Sequence, residues 1–142
     1  MEMTPLNRLI DVHKALAHPA RVRILAMLRT GELCVCQLNA VIDVAPSTIS
    51  AHLAELREAG LVAERKSGRW VHYRLAAAGA AETTLDALWL VLEGEATILD
   101  DARVLRRVTA LPVATICRPE FDPAALRAAC CTTSTEERKV RT

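Results

Sequence analysis

The sequence predicts a mainly α-helical fold carrying one β-hairpin, and three observations predict it. First, the stretch 46–60 places Ile49, Leu53 and Leu56 at i, i+4 and i+7, one apolar helical face, with Pro46 suited to the first position and Gly60 to the stop. Its other face carries Ser47, Thr48, Ser50 and His52, short hydrogen-bonding groups rather than the long Lys and Glu that solubilise an exposed helix. Donors of that reach suit a helix start pressed against phosphates and base edges. Second, the period changes at Leu61. Residues 61–75 read as two strands around a turn at 66–69, with Gly68 in the turn and Trp70, Val71 and Tyr73 on the second strand. Arg65, Lys66, Arg69 and Arg74 gather at or near its tip. Edge strands often carry such charges simply to discourage pairing. Third, a shorter helix and a tight turn precede residue 46. Helix, turn, helix and basic hairpin in that order make a winged helix-turn-helix, with residues 46–60 in the major groove and Arg65, Lys66 and Arg69 on the flanking backbone.

Taken in order, residues 6–17 place Leu6, Leu9, Ile10, His13, Leu16 and Ala17 on one face of a packing helix. His18-Pro19 breaks it, and Pro19 starts a second helix over 20–29 with Val22, Ile24, Leu25 and Leu28 directed to the core. Thr30-Gly31 ends that one, and a third helix is expected from about Glu32 to Val41, before the turn at 43–45. Beyond the hairpin, residues 83–108 read as one long helix, with Leu85, Leu88, Trp89, Leu92, Ala96 and Leu99 forming a stripe. That stripe is expected to pack with the first helix across a dimer two-fold. Residues 1–108 thus form the DNA-binding and dimerisation domain. A cysteine-containing tail follows over 109–142, with a short helix capped by Asp122 and started by Pro123, and a disordered end from Thr132.

Composition sets limits on the partners. The 142 residues suffice for one core, and a net charge near +1 offers little long-range attraction to nucleic acid, so any basic surface is local. Residues 1–75 hold ten Lys/Arg against seven Asp/Glu, and 76–142 hold eight against ten, which puts the basic excess with the hairpin. No run of about 18 apolar residues and no basic-then-apolar leader is present, so a cytoplasmic chain without a membrane span is expected. Five cysteines in such a chain point to thiols used as ligands or sensors.

The segments 18–25 (His-Pro-Ala-Arg-Val-Arg-Ile-Leu) and 32–36 (Glu-Leu-Cys-Val-Cys), the helix 47–56 and the strand 70–74 together resemble the ArsR/SmtB family of metal-responsive repressors. The resemblance is most specific over 18–75. It implies a cytoplasmic homodimer that binds an inverted-repeat operator and leaves it when metal or metalloid binds. Within the family, Glu-Leu-Cys-Val-Cys is the arrangement of arsenic(III)/antimony(III) sensors and of cadmium/lead sensors.

The chemistry of Cys34 and Cys36 agrees with that implication. Soft thiolates prefer thiophilic ions, and two within three residues are a chelate short of a third ligand. Positions i and i+2 of a helix point about 200° apart, so one ion reaches both only at a distorted helix end. Small cysteines also pack in cores, which suffices for one cysteine but not for two beside a DNA-reading helix. The third thiol of Cys-Val-Cys-x-x-Cys members falls here on Asn39. A three-sulfur site therefore needs a tail cysteine, from the same or the partner subunit: Cys117 first, then Cys130 and Cys131. The inducer expected is As(III) or Sb(III), with no organic cofactor. Zinc at the long helix is disfavoured, since 83–108 contains no histidine. His18 and His72 read as structural, while Ala51, where relatives carry longer polar groups, weakens base readout.

Two other functions compete. One is a redox or persulfide sensor on the same fold, in which Cys34 or Cys36 forms a disulfide with a tail cysteine. The other is a thiol enzyme or metalloid-buffering protein. Catalysis is not expected, because there is no Cys-x-x-Cys and no phosphate-binding glycine loop.

Overall fold

A computed structural model describes residues 3–128. Helix α1 (Pro5–Leu16) is capped by Thr4, whose hydroxyl accepts from the Asn7 amide. Helix α2 (Pro19–Leu28) is capped by His18, whose Nδ1 accepts from the Ala20 amide at 3.1 Å, and Pro19 occupies a first-turn position that needs no amide hydrogen. A two-residue strand β1 (Leu33–Cys34) leads directly into α3 (Val35–Val41), and α4 (Pro46–Glu58) follows the turn. Ile49, Leu53 and Leu56 of α4 are fully buried, as the spacing predicts, and Gly60 ends the helix at φ 78°.

Strands β2 (Val62–Ser67) and β3 (Trp70–Leu75) form the antiparallel hairpin, with Ser67 opposite Trp70 and Gly68 in the turn at φ 61°. β1 pairs with the other edge of β3, Leu33 to Tyr73 and Cys34 to His72, giving the order β1-β3-β2. The third helix therefore starts at Val35 rather than Glu32. Residues 33–34 are drawn into the sheet by the free edge of β3, a tertiary pairing that local helical periodicity does not register.

The expected single helix over 83–108 is two helices, α5 (Ala80–Val91) and α6 (Ala96–Thr109). Gly94 at φ 77° turns the chain, and the Glu95 carboxylate caps α6 by accepting from the Ile98 amide at 3.0 Å. The expected stripe ends there, for Leu99 is 47% exposed while α6 buries Asp101, Val104, Leu105 and Val108. A bidentate pair, Arg23 Nε and Nη2 each 2.8 Å from an Asp101 oxygen, ties α6 to α2. Helix α6 thus folds back beside α2 and α3, and α7 (Val113–Ile116) brings residues 111–126 onto the same core through Leu111, Ile116, Phe121 and Leu126. The tail helix runs from 123 to the last described residue, with Asp122 accepting from the Ala124 amide as its cap. Cys130, Cys131 and the expected disordered end lie outside the described residues.

On α1 the inward residues are Val12 and Ala15, while Leu6, Leu9 and Ile10 are exposed, as are Leu90 and Val91 of α5. No helix among the described residues is long and apolar enough to cross a membrane.

Candidate metalloid site and nucleic-acid interface

Cys34 ends β1 at φ −94°, ψ 167°, and Cys36 is the second residue of α3. The strand-to-helix change removes the 200° divergence of two helical positions. Cys34 Sγ, Cys36 Sγ and the Cys117 Sγ, carried by the residue following α7, lie within 4.8 Å of one another. Cys34 is buried at 2% exposure with a free thiol, and its amide donates to Gln37 Oε1 at 3.0 Å. Cys36 and Cys117 are joined as a disulfide across 81 residues of sequence, their Cα atoms 5.3 Å apart. Within this chain the tail cysteine that joins the cluster is Cys117. Three sulfurs with no oxygen ligand among them form a soft donor set, suited to a three-coordinate thiophilic ion once the disulfide is opened.

The site adjoins the turn between α3 and α4. Asn39, at the position of the absent third thiol, donates through Nδ2 to the Ile42 and Val44 carbonyls. From the tail, Arg127 Nη1 donates to the Ala40 carbonyl at 3.2 Å and Nη2 pairs with Asp43 at 3.4 Å. Arg127 and Gln37 were not legible as functional residues. The Cys34-x-x-Gln37 spacing has the form of a capping box, a signal that was available for Gln37, whereas nothing local marks Arg127.

At the start of α4, Ser47, Thr48 and Ser50 are exposed, together with Ala51. His52 is not. It is 9% exposed and turned inward, its ring 4.4 Å from that of His18, with Nδ1 accepting from Arg21 Nε at 3.3 Å. Burial lowers its pKa, with the nearby His18 and Arg21 charges acting in the same direction. The helical phase explains the correction. His52 lies one residue before Leu53 and three after Ile49, on the flank of the buried face, so it supports α4 from behind rather than reading bases.

Arg65, Lys66 and Arg69 are all exposed. Arg65 makes a bidentate pair with Glu32, the residue before β1, and the contact lowers the Glu32 pKa. Its charge is thereby largely compensated by a neighbour across the sheet. Lys66 and Arg69 show no ion pair among the described residues, so the uncompensated charge of the expected trio sits at the hairpin tip. His18 and His72 have structural places, one capping α2 and the other in β3 opposite Cys34 and Arg65.

Comparison with known proteins agrees with this architecture. Residues 18–64 match the family described as bacterial regulatory protein, arsR family. The arsenical resistance operon repressor of Escherichia coli is 51% identical over 67 residues, covering 46% of this chain and 57% of the repressor. The chain spans about half the length of the arsenic-resistance regulators it matches first. The uncharacterized HTH-type transcriptional regulator Rv0081 of Mycobacterium tuberculosis is 38% identical over 108 residues, 72% of this chain and 95% of that regulator. Among solved structures, reduced HlyU from Vibrio cholerae superposes with a TM-score of 0.54 at 33% identity, over 59% of this chain and 87% of HlyU. The first of these relatives is named a repressor and the second a transcriptional regulator. With its helix-turn-helix, its three-stranded wing and a relative matched over nearly its whole length, the chain belongs to the ArsR family of bacterial regulatory proteins.

Proposed function

We propose that the chain is a metalloid-responsive transcriptional repressor that binds an inverted-repeat operator as a homodimer and is released when arsenite or antimonite binds Cys34, Cys36 and Cys117. The observation that carries this reading is the convergence of three sulfurs within 4.8 Å at the start of α3. The names of arsenic-resistance relatives support it. Ser47, Thr48 and Ser50 approach bases and phosphates, and Lys66 and Arg69, with Arg65 in a lesser part, supply salt-dependent backbone contacts. The exposed apolar residues of α1 and α5 are the surface through which two copies pair, setting half-sites about one helical turn apart.

The ligand-competent form is the tri-thiol. Two equivalents of a small thiol open the Cys36–Cys117 disulfide and leave as their own disulfide; arsenous acid then forms three As–S bonds and releases three waters. Seating an ion among the sulfurs repositions α3 and the tail relative to α4, through the turn that Asn39 and Arg127 hold. Near-complete derepression requires about 5.5 kcal/mol of preference for the DNA-incompetent state, within reach of several sulfur bonds but not of one weak ligand exchange. Cys130 and Cys131 would serve as auxiliary thiols that capture and pass on the ion. The test is anisotropy of a labelled upstream duplex under strict reduction, titrated with arsenite. Release at about one metalloid per subunit is expected, and loss of release without loss of DNA binding in Cys34→Ser, Cys36→Ser and Cys117→Ser. Release by cadmium or lead alone would refute the metalloid assignment.

One observation favours a second reading. The Cys36–Cys117 disulfide is what a redox sensor on this fold needs. A hydroperoxide would take two electrons from the dithiol, giving the disulfide, an alcohol and water. Operator release by oxidant in metalloid-free buffer would establish it.

A further inference from the structure

Two imidazoles meet between α2 and the DNA-reading helix α4. The rings of His18 and His52 stand 4.4 Å apart, and in each of them Nδ1 is an acceptor. The partners force that role. His18 Nδ1 faces the Ala20 amide at 3.1 Å and His52 Nδ1 faces Arg21 Nε at 3.3 Å, and neither an amide N–H nor a guanidinium can accept. A proton on either Nδ1 therefore sets donor against donor, and on His52 it also sets positive charge against Arg21. The charges that act on the His52 ring are those of His18 and Arg21, and both oppose its protonation. Elsewhere on α2, Arg23 is committed to Asp101. Of the other elements packed on α4, α3 brings only the Cys36 thiol, and in β2 Glu64 is paired with Arg57 and Arg65 with Glu32, while Lys66 adds a further positive charge. Glu55, along α4 from His52, is exposed.

We infer that this cluster is an acid-sensitive latch on the DNA-reading helix: proton uptake at His52 and His18 parts α4 from α2 and lowers the affinity of the regulator for DNA. The inference rests on the DNA-binding reading and is independent of any metalloid. Arg21 also donates through Nη1 to the Lys14 carbonyl at 3.4 Å, so one side chain joins the end of α1 to the middle of α4. His52 is buried, and a charged ring there gains water only if α4 shifts. His18 is exposed and gives the proton its route in. Imidazole suits the task, because its ordinary pKa of about 6.5 places the change of charge near neutral pH. The sign is opposite to that of a histidine lying on the duplex, where protonation adds a cation beside phosphates and strengthens binding.

The test is anisotropy of the reduced full chain on a labelled upstream duplex, at fixed salt and without metalloid, from about pH 7.5 to about 5.5, with circular dichroism followed at each pH. Uptake of one proton per dimer on release corresponds to a fall in affinity of about tenfold per pH unit, the smallest effect expected below about pH 6.5. Calorimetry of the same binding in two buffers of different ionisation enthalpy counts those protons directly, and should find at least one taken up as the duplex leaves. The double variant His18→Asn/His52→Asn keeps an acceptor near each Nδ1 position, and Asn is a good helix cap, yet neither side chain titrates. Its affinity should be nearly flat over the same range. Affinity that is constant or rises with acid overturns the inference. So does an acid loss retained in the double variant, where His13 and His72 are untouched, or a loss that only tracks unfolding in circular dichroism. Absence of binding at every pH removes the DNA-binding reading and this inference with it.

Discussion

Replacing Asp101 with Ala removes the group that docks α6, and with it the approach of Cys117 to α3. The Asp101 side chain is 9% exposed and accepts twice from Arg23 at 2.8 Å, while the Arg23 side chain keeps 28% exposure. The hydrogen bonds to Asp101 raise the Arg23 pKa; in the variant that support is gone, but a guanidinium does not deprotonate in proteins, so the charge is left without its partner. Breaking a fully buried pair costs about 3–5 kcal/mol, and the solvent reaching Arg23 reduces this to about 2–3 kcal/mol. For a chain of this size 1 kcal/mol corresponds to roughly 3–5 °C in Tm, so a fall of roughly 6–15 °C is expected by circular dichroism. The double variant Arg23→Leu/Asp101→Leu should lose less than Asp101→Ala alone, because no charge is stranded. A fall below about 2 °C, or a double variant as unstable as the sum of the two single Leu replacements, refutes the assignment of α6 docking to this pair.

Four further outcomes are expected. Arg69→Ala should weaken operator binding and reduce the slope of log affinity against log salt by about one, measured by anisotropy between 50 and about 200 mM salt. Arg65→Ala should change that slope less, because Glu32 already compensates its charge. The depressed pKa of His52 makes its neutral form the native one. Its contribution to stability is full above about pH 6.5, the ordinary His value, and is lost as pH falls toward the lower folded pKa, where the unfolded chain binds the extra proton. His52→Gln should flatten that decline in a denaturant series taken from pH 7.5 to about 5. Arg127→Ala removes a charged donor to the Ala40 carbonyl and an exposed pairing to Asp43, about 1–2 kcal/mol of tail docking. Re-formation of the Cys36–Cys117 disulfide after reduction should slow several-fold, with global Tm little changed; an unaltered rate counts against the strap.

Several features of this protein were settled by the sequence alone. The buried face of α4, its Pro46 start and Gly60 stop, the hairpin turn at Gly68 and the Asp122 cap depend on periods and caps spanning a few residues, and the chain adopts them where expected. Cys34, Cys36 and their first-ranked companion Cys117 also stand together, their sulfurs within 4.8 Å of one another. Tertiary structure decided the rest. Gly94 was visible in the sequence, but whether a glycine interrupts a helix depends on what lies beyond it, and here a docking partner, Arg23, waits 78 residues upstream of Asp101. The sheet edge of β3 shifted the start of α3 and so gave Cys34 and Cys36 one side to face. The inward turn of His52 and the reach of Arg127 to Ala40 depend on neighbours 31 and 87 residues away, separations at which no local pattern carries information.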